Sequence, residues 1–267
     1  MANEKTPLRE PIQLKKKKLP FPYGLFPASL RPYAELMRLH RPSGTIMIFW
    51  PYAFGATMAA YQTGFPVKQY WAELGKFLIA AFFVRSAGCT INDIADREFD
   101  AGVAWLGLTM SMGIFIGWAA IAETPNWLLL GSFMLGFVAW TLHFDTIYAC
   151  QDRKDDINVG VKSTAVILGD LVIPFAMMCS TTFVGALAFA GYLNGETNAY
   201  YFVTVAGTAA HFAWQLATID LEDPDSCNLN FTRNGQLGWV LWGGMAVDYL
   251  LKMGVVQLGE GRLSIVV

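Results

Sequence analysis

The chain has 267 residues, of which 54% are hydrophobic and only 15% charged, with a mean hydropathy of +0.38. A soluble domain carries about 25% charged residues, so this composition excludes one, and repeated apolar blocks of about 20 residues, the length that crosses a bilayer core, exclude a single-anchor protein. The net charge of −2 argues against nucleic acid as a partner.

The blocks also argue against a membrane β-barrel, because its strands would alternate polar and apolar residues and these blocks do not. The expected fold class is all-α, a polytopic transmembrane helical bundle of about seven spans. Residues 1–34 form a polar, Lys/Pro-rich N-terminal segment with no apolar h-region, so it does not read as a signal peptide. Glu4, Glu10 and the preference for lysine over arginine also fit a mitochondrial transit peptide poorly. The run Lys15–Lys18 reads either as a solvated tail or as a contact with anionic lipid. Residues 35–258 form the transmembrane domain, and 259–267 a short C-terminal tail.

The spans are expected at 44–61, 74–91, 103–122, 126–147, 171–193, 199–219 and 237–255. The short links at Thr124-Pro125-Asn126 and at Asn194–Asn198 predict antiparallel hairpins. With the N-terminus inside, the inner segments hold 14 of the Lys and Arg residues and the outer segments 4, which sets the orientation. Arg85 lies within the second span. The four cysteines include no CxxC pair and read as buried small hydrophobes, with neither disulfides nor a zinc site implied.

Two acidic segments stand out. The second span ends in Asn92-Asp93-Ile94-Ala95-Asp96-Arg97-Glu98-Phe99-Asp100. On a continuing helix, Asn92 and Asp96 are i,i+4 neighbours, and Asp93, Asp96 and Asp100 share a face. The fourth span ends in Asp145 to Asp156, where Tyr148, Asp152 and Asp156 would form an i,i+4,i+8 stripe. Two spans separate the segments, so both return to the inner membrane face. Stacked carboxylates repel, and Arg97, Arg153 and Lys154 are too few to neutralise them. Oxygen ligands without His or Cys favour Mg²⁺ or Ca²⁺ over zinc. Mg²⁺ uses one or two carboxylates and completes its shell with water and substrate phosphate, so a Mg²⁺–diphosphate site is expected.

Arg38 and Arg41, before the first span, read either as positive-inside anchors or as an anion-binding fork. Neighbouring His40 reads as structural. Lys162 is better placed to meet a diphosphate than to act as an anchor. The third acidic group, Asp220–Asp225, is broken by Pro224 and reads as a solvated or lid loop.

At these residues the chain resembles the UbiA superfamily of membrane aromatic prenyltransferases. Asn92–Asp100 matches the family's NDxxDxxxD motif and Asp152–Asp156 its DxxxD motif. Asp145–Tyr148, Gly160–Ala165, Arg38–Pro42 and Asp220–Asp225 are also similar, so the resemblance runs from about residue 31 to 255. Residues 32–60 resemble the fungal-type branch that prenylates phenolic acids in meroterpenoid biosynthesis, with the 4-hydroxybenzoate polyprenyltransferases of ubiquinone synthesis as near relatives. The resemblance implies Mg²⁺ held by Asn92 and Asp96 facing Asp152 and Asp156, with Asp93 and Asp100 beside them. It implies an isoprenyl diphosphate, farnesyl in the reading adopted, and a phenolic acid acceptor. Arg38, Arg41, Lys162 and Arg153 would bind substrate, and Tyr148 and Asp156 would serve the catalytic step, Tyr148 by shielding a carbocation. It favours an endomembrane over the mitochondrial inner membrane.

One departure is plain. The family usually has nine spans and a basic RTxxRP-like stretch after the first motif. Here Asp100-Ala101-Gly102-Val103 runs straight into Ala104-Trp105-Leu106-Gly107, which resembles the start of the family's fifth span. Two spans and a basic loop are missing, an even number that preserves topology downstream. A non-catalytic or truncated relative therefore remains open as a second reading, and a transporter as a third. Transporter sites lie near the midplane on broken helices, and these carboxylates lie at span ends.

Overall fold

The computed structural model describes residues 21–37, 39, 43–95, 103–160, 162–259 and 262–265. After a short helix α1 (Arg31–Leu36), seven long helical segments follow. They are α2 (Ser43–Thr63), α3 (Val67–Ala95), α4 (Val103–Ala119), α5 (Trp127–Ala149), α8 (Val172–Asn194), a composite of α9 (Asn198–Tyr200), a π-helical turn (Tyr201–Ala206) and α10 (Gly207–Thr218), and α11 (Pro224–Lys252). Two short helices, α6 (Arg153–Val159) and α7 (Thr164–Leu168), lie between α5 and α8. A hairpin of β1 (Val256–Gly259) and β2 (Arg262–Ile265) follows α11.

The seven segments agree with the seven expected spans, but α3 and α11 start well before their apolar stretches. Asp223 explains the early start of α11. Its carboxylate accepts the Asp225 N–H at 3.1 Å, and Pro224 occupies the first turn, where its missing N–H costs nothing. Of the described helices, Trp127–Ala149 and the stretch Thr164–Asn194 are long and apolar enough to cross a membrane by length and composition. Large apolar side chains such as Leu128, Leu135, Met178, Phe189 and Phe202 point outward. A lipid-facing surface accounts for them where a soluble one would not.

α2 is the hub. It packs against α3, α4 and α11, while α5 packs against α4, α8 and α11. The α2–α4 contact depends on glycines. A Cβ on Gly55 would collide with the Ile114 carbonyl, and one on Gly117 with the Tyr52 carbonyl. A Cβ on Gly113 would sit 2.8 Å from Pro51 Cβ. Gly113 and Gly117 form the small-xxx-small spacing that lets membrane helices approach closely. A buried aromatic layer joins the helices across the centre. The rings of Trp140 and Phe183 stack at 5.2 Å, and Trp50 meets Trp239 at 4.7 Å.

Cross-helix contacts define the two ends. At one end, Trp50 Nε1 donates to Gly235 O at 3.2 Å and Trp140 Nε1 to Asn234 Oδ1 at 2.9 Å. Arg85 lies against Gly44. The start of α2, the C-terminal end of α3, the C-terminal end of α5 and the start of α11 therefore share this end. At the other end, Tyr61 Oη donates to Gly195 O at 2.8 Å, and Lys252 Nζ to Tyr61 O at 2.6 Å.

That far end also buries two acids. Asp248 accepts the Thr197 N–H at 2.8 Å and the Thr197 hydroxyl. Glu196, in the turn before α9, accepts from Asn194 Nδ2 at 2.6 Å and lies beside the Asp248 carboxylate. Burial, reinforced by the Asp248 carboxylate, pushes Glu196 up to about 9. Two carboxylates in contact in a low dielectric cannot both ionise, so Glu196 holds the proton.

Two outcomes follow from the packing. Gly55→Val forces a side chain into backbone and should destabilise the protein by about 1–3 kcal/mol, whereas Gly75→Ala, where a Cβ meets nothing, should be neutral or stabilising; thermal unfolding in detergent compares them. Because the Glu196 pKa is raised on folding, its contribution is fully present below pH 4.5 and is lost as pH rises to about 9. The unfolding midpoint should fall across that window, and Glu196→Gln, which keeps a donor toward Asp248 without titrating, should flatten the fall.

Candidate functional site

The described part of the site is built where α5 stops. The helix ends at Ala149, and a tight turn follows. Cys150 N–H donates to Ile147 O at 3.2 Å, and Gln151 N–H to Tyr148 O at 3.1 Å. Asp152 is the N-cap of α6, but its side chain makes no cap hydrogen bond. The expected continuous stripe of Tyr148, Asp152 and Asp156 is therefore broken. Its first member lies on α5 and the other two on α6, because the chain turns out of α5 within the three residues between. Asp152 and Asp156 stay one turn apart, tied by the Asp156 N–H to Asp152 O bond of 2.8 Å. Asp155 and Asp156 lie in the first turn of α6, where the helix dipole favours negative charge. α6 ends at Gly160, whose φ of +80° closes the helix in the left-handed region, and the exposed Lys162 follows in the loop to α7.

A small apolar cluster fixes this excursion. Cys150, Ala165, Val172 and Cys227 are buried together, with Leu168, Ile219 and Leu221 against them. The cluster draws the Asp220–Asp225 loop beside the second acidic segment. Between them lies a cavity of about 270 Å³ lined by Cys150 and Gln151 of the turn, Arg153, Lys154 and Ile157 of α6, and Leu221, Glu222 and Pro224 of the loop. Lys154 Nζ meets Glu222 Oε2 at 3.1 Å, with the two side chains 77% and 68% exposed, a pair that adds at most about 1 kcal/mol. The loop's acids mostly serve local structure. Asp220 accepts the Glu222 N–H at 2.9 Å, and Asp223 caps α11. Burial pushes the Cys150 thiol up, and Cys150, Cys179 and Cys227 are all free and buried, so they act as packing groups.

An aromatic wall stands beside the turn. The Tyr148 ring, 40% exposed, lies 4.7 Å from Phe231, which also meets Phe144 at 5.6 Å. Phe231 was not singled out in the sequence, where one phenylalanine among 19 carries no signal of its own. Arg85 was noted only as lying within a span. Its Nε is buried without a hydrogen-bond partner, at the end of the bundle where α5 stops. An arginine in an apolar run is itself the signal for function.

Asp96, Asp100, Arg38 and Arg41 lie outside the described residues, as does His40. Of Asn92 and Asp93 only the helical backbone is described. The structure thus brings together Tyr148, Asp152, Arg153 and Asp156, and places the end of α3 at the same end of the bundle. Among the described residues no group of three His, Cys, Asp or Glu side chains could hold a metal. Asp152 is exposed and Asp156 half-buried. As oxygen donors one turn apart, they suit a hard cation that takes one or two carboxylates and fills its shell with water and phosphate.

The comparisons with known proteins fit this geometry. The model of the UbiA prenyltransferase family matches residues 101–241. The UbiA prenyltransferase claS of Ampulloclitocybe clavipes is 31% identical over 296 residues, covering 85% of this chain and 94% of that protein. The mitochondrial 4-hydroxybenzoate polyprenyltransferase of Schizosaccharomyces pombe is 29% identical, covering 85% of this chain and 82% of its own. The one from Rattus norvegicus is 30% identical, covering 88% and 80%. No solved structure matches. The alignment to claS has 296 positions but draws on only 85% of a 267-residue chain, so that relative holds residues with no counterpart here. UbiA-family prenyltransferases generally depend on a divalent metal. Helical architecture, sequence match and coverage together establish that this chain belongs to the UbiA prenyltransferase family, integral membrane enzymes that transfer alkyl groups other than methyl.

Proposed function

We propose that the chain transfers an isoprenyl group, farnesyl in length, from its diphosphate to the ring of a phenolic acid in meroterpenoid biosynthesis, with Mg²⁺ as the metal and an endomembrane as its location. The observation that carries this reading is the α5–α6 junction. It presents Asp152 and Asp156 one turn apart with Arg153 and Lys154 between or beside them, at the end of the bundle that holds the C-terminal end of α3.

Asp152 and Asp156 would hold one Mg²⁺, and Asn92 and Asp96, with Asp93 and Asp100 beside them, a second position. Bound there, Mg²⁺ supplies Lewis-acid stabilisation of the departing diphosphate. Arg153 and Lys162 meet the remaining phosphate charge. Arg85, whose Nε is buried without a hydrogen-bond partner at the same end, adds a further cation for an anionic group, either the diphosphate or the acceptor carboxylate, alongside Arg38 and Arg41. The C–O bond to diphosphate breaks with its electron pair, leaving an allylic cation. The Tyr148 and Phe231 ring faces stabilise that charge, and their apolar surroundings keep water from quenching it. The electron-rich ring then forms the new C–C bond and gives up its proton to the released diphosphate.

Two other readings have support. The mitochondrial relatives favour a 4-hydroxybenzoate polyprenyltransferase. The unmatched positions of claS favour a chain that has lost part of the substrate channel and with it catalysis.

Membranes containing the full chain, given Mg²⁺, farnesyl diphosphate and a panel of phenolic acids, should yield prenylated product. Asp152→Asn and Asp156→Asn should each lower turnover roughly 10²–10³-fold, the scale of losing an electrostatic stabiliser of the transition state. Chelation should abolish turnover, and Mg²⁺ should restore it. Turnover with polyprenyl but not farnesyl diphosphate would select the ubiquinone-type reading. No product from a chain that still binds Mg²⁺ and farnesyl diphosphate would select the non-catalytic one. Arg85→Leu should raise KM more than it lowers kcat if the guanidinium holds a substrate anion.

A further inference from the structure

Between α5, α10 and α11 the bundle buries a set of polar side chains whose hydrogen-bonding groups do not balance. His143, Thr146, Gln215, Asn230 and Asn234 are fully buried. Asn234 is satisfied, accepting from Trp140 Nε1 at 2.9 Å and donating to Asn230 O at 3.0 Å. The other four are not. His143 Nδ1 lies 3.0 Å from the Ala176 carbonyl on α8. A carbonyl can only accept, so Nδ1 carries the proton, and in a neutral ring Nε2 is then a bare acceptor. That Nε2 is buried and has no partner.

The Gln215 side chain lies beside the His143 ring, with no hydrogen bond between them. Its Nε2 donates to Asn230 O at 3.4 Å, and its Oε1 is unpartnered. Both Asn230 side-chain atoms, and the Thr146 hydroxyl, are unpartnered as well. Thr141, one turn earlier on the same helix, bonds its own i−4 carbonyl at 3.0 Å, so the lack of such a bond at Thr146 is a feature of the site and not of threonine in α5.

The demand is therefore for donors. His143 Nε2, Gln215 Oε1 and Asn230 Oδ1 each need one, Asn230 Nδ2 needs an acceptor, and Thr146 can act as either. Each group left unmet in a low-dielectric interior costs about 1–3 kcal/mol, a sum that membrane helices do not carry unpaired. No charged side chain belongs to the set, so the complementary ligand is neutral, small, and carries at least two donors and one acceptor. Water has that profile, and buried waters bind at sites offering about three otherwise unmet partners.

We infer that His143, Gln215 and Asn230, with Thr146, form a bound-water site that joins α5, α10 and α11 inside the bundle. It lies near the aromatic wall, since Asn230 is the neighbour of Phe231 in α11 and the Phe231 ring meets that of Tyr148 at 4.7 Å. A water whose bonds are all committed to these side chains is held away from the reacting face. The site does not depend on the substrate assignment above.

Ring-labelled histidine in the full chain, reconstituted in lipid nanodiscs, tests this by nuclear magnetic resonance, with His40→Gln and His211→Gln assigning the other two rings. The expected result is a neutral His143 ring protonated at Nδ1, whose Nε2 receives magnetisation from a water slow to exchange with bulk. Asn230→Leu or Gln215→Leu should remove that transfer. A ring protonated at Nε2, no transfer in the unaltered chain, or a transfer that survives both substitutions would overturn the inference. So would displacement of the signal by ammonium chloride, which would assign a cation to the site. The unaltered chain alone decides the tautomer and the transfer, whether or not the leucine variants fold.

Discussion

A bilayer core gives a helix no hydrogen-bond partner and no reward for hiding apolar surface from lipid that is equally apolar. Association must come from close approach and from polar groups paired within the protein. The α2–α4 contact meets this constraint directly. Gly55 and Gly117 bring two backbones together so closely that no side chain fits between them. With α4 seated, α2 offers its remaining faces to α3 and α11, and α5 closes the ring through α4, α8 and α11. The site at the end of α5 inherits its position from that arrangement.

The same constraint sorts the acids. Those kept inside are neutralised or bonded. Glu196 holds its proton, and Asp248 is saturated by Thr197. Those at the α5–α6 junction leave the low-dielectric region instead. α5 stops at Ala149, the turn at Cys150–Gln151 carries the chain out, and Asp152 and Asp156 emerge with solvent access. A carboxylate spared from structural bonding at a helix end is available to a cation. That contrast separates the second acidic segment from the Asp220–Asp225 loop, where Asp220 and Asp223 are spent on turns and a helix cap.

The hydropathy of the chain located the seven helical segments well, because burial all round and lipid exposure both demand apolar residues. It missed the polar beginnings of α3 and α11, since a helix outside the bilayer needs no apolar run. The cap at Asp223-Pro224 is written in the sequence, but a proline after an acid marks a loop break as readily as a first helical turn. The stripe from Tyr148 to Asp156 failed for a related reason. Helical spacing predicts neighbours only if the helix continues, and Asn, Gly or Pro, the usual terminators, are absent from Cys150–Asp152. Phe231, His143 and Gln215 were illegible because a contact 83 residues away in sequence, like that of Tyr148 with Phe231, leaves no local pattern. Arg85 was legible in principle, as a cation within an apolar span.

The apparent loss of two family spans is structurally tolerable for a reason visible in the packing. α3 and α4 each pack on α2, and they share no comparable interface with each other. The family match begins at residue 101, just past Asp100, and the fungal relative carries positions this chain lacks. Removing an even number of spans there leaves α4 pointing as before, and its glycine face still finds α2. α8 and α10 are placed by α5 and α11, and α11 itself meets α3 only at the far end, where Trp242 Nε1 donates to Tyr70 Oη at 3.1 Å and the Tyr70 and Tyr249 rings lie 4.8 Å apart. A gap there lies outside the contacts of α2 with α4 and α11 and of α5 with α4, α8 and α11, so it does not decide whether the remaining helices assemble.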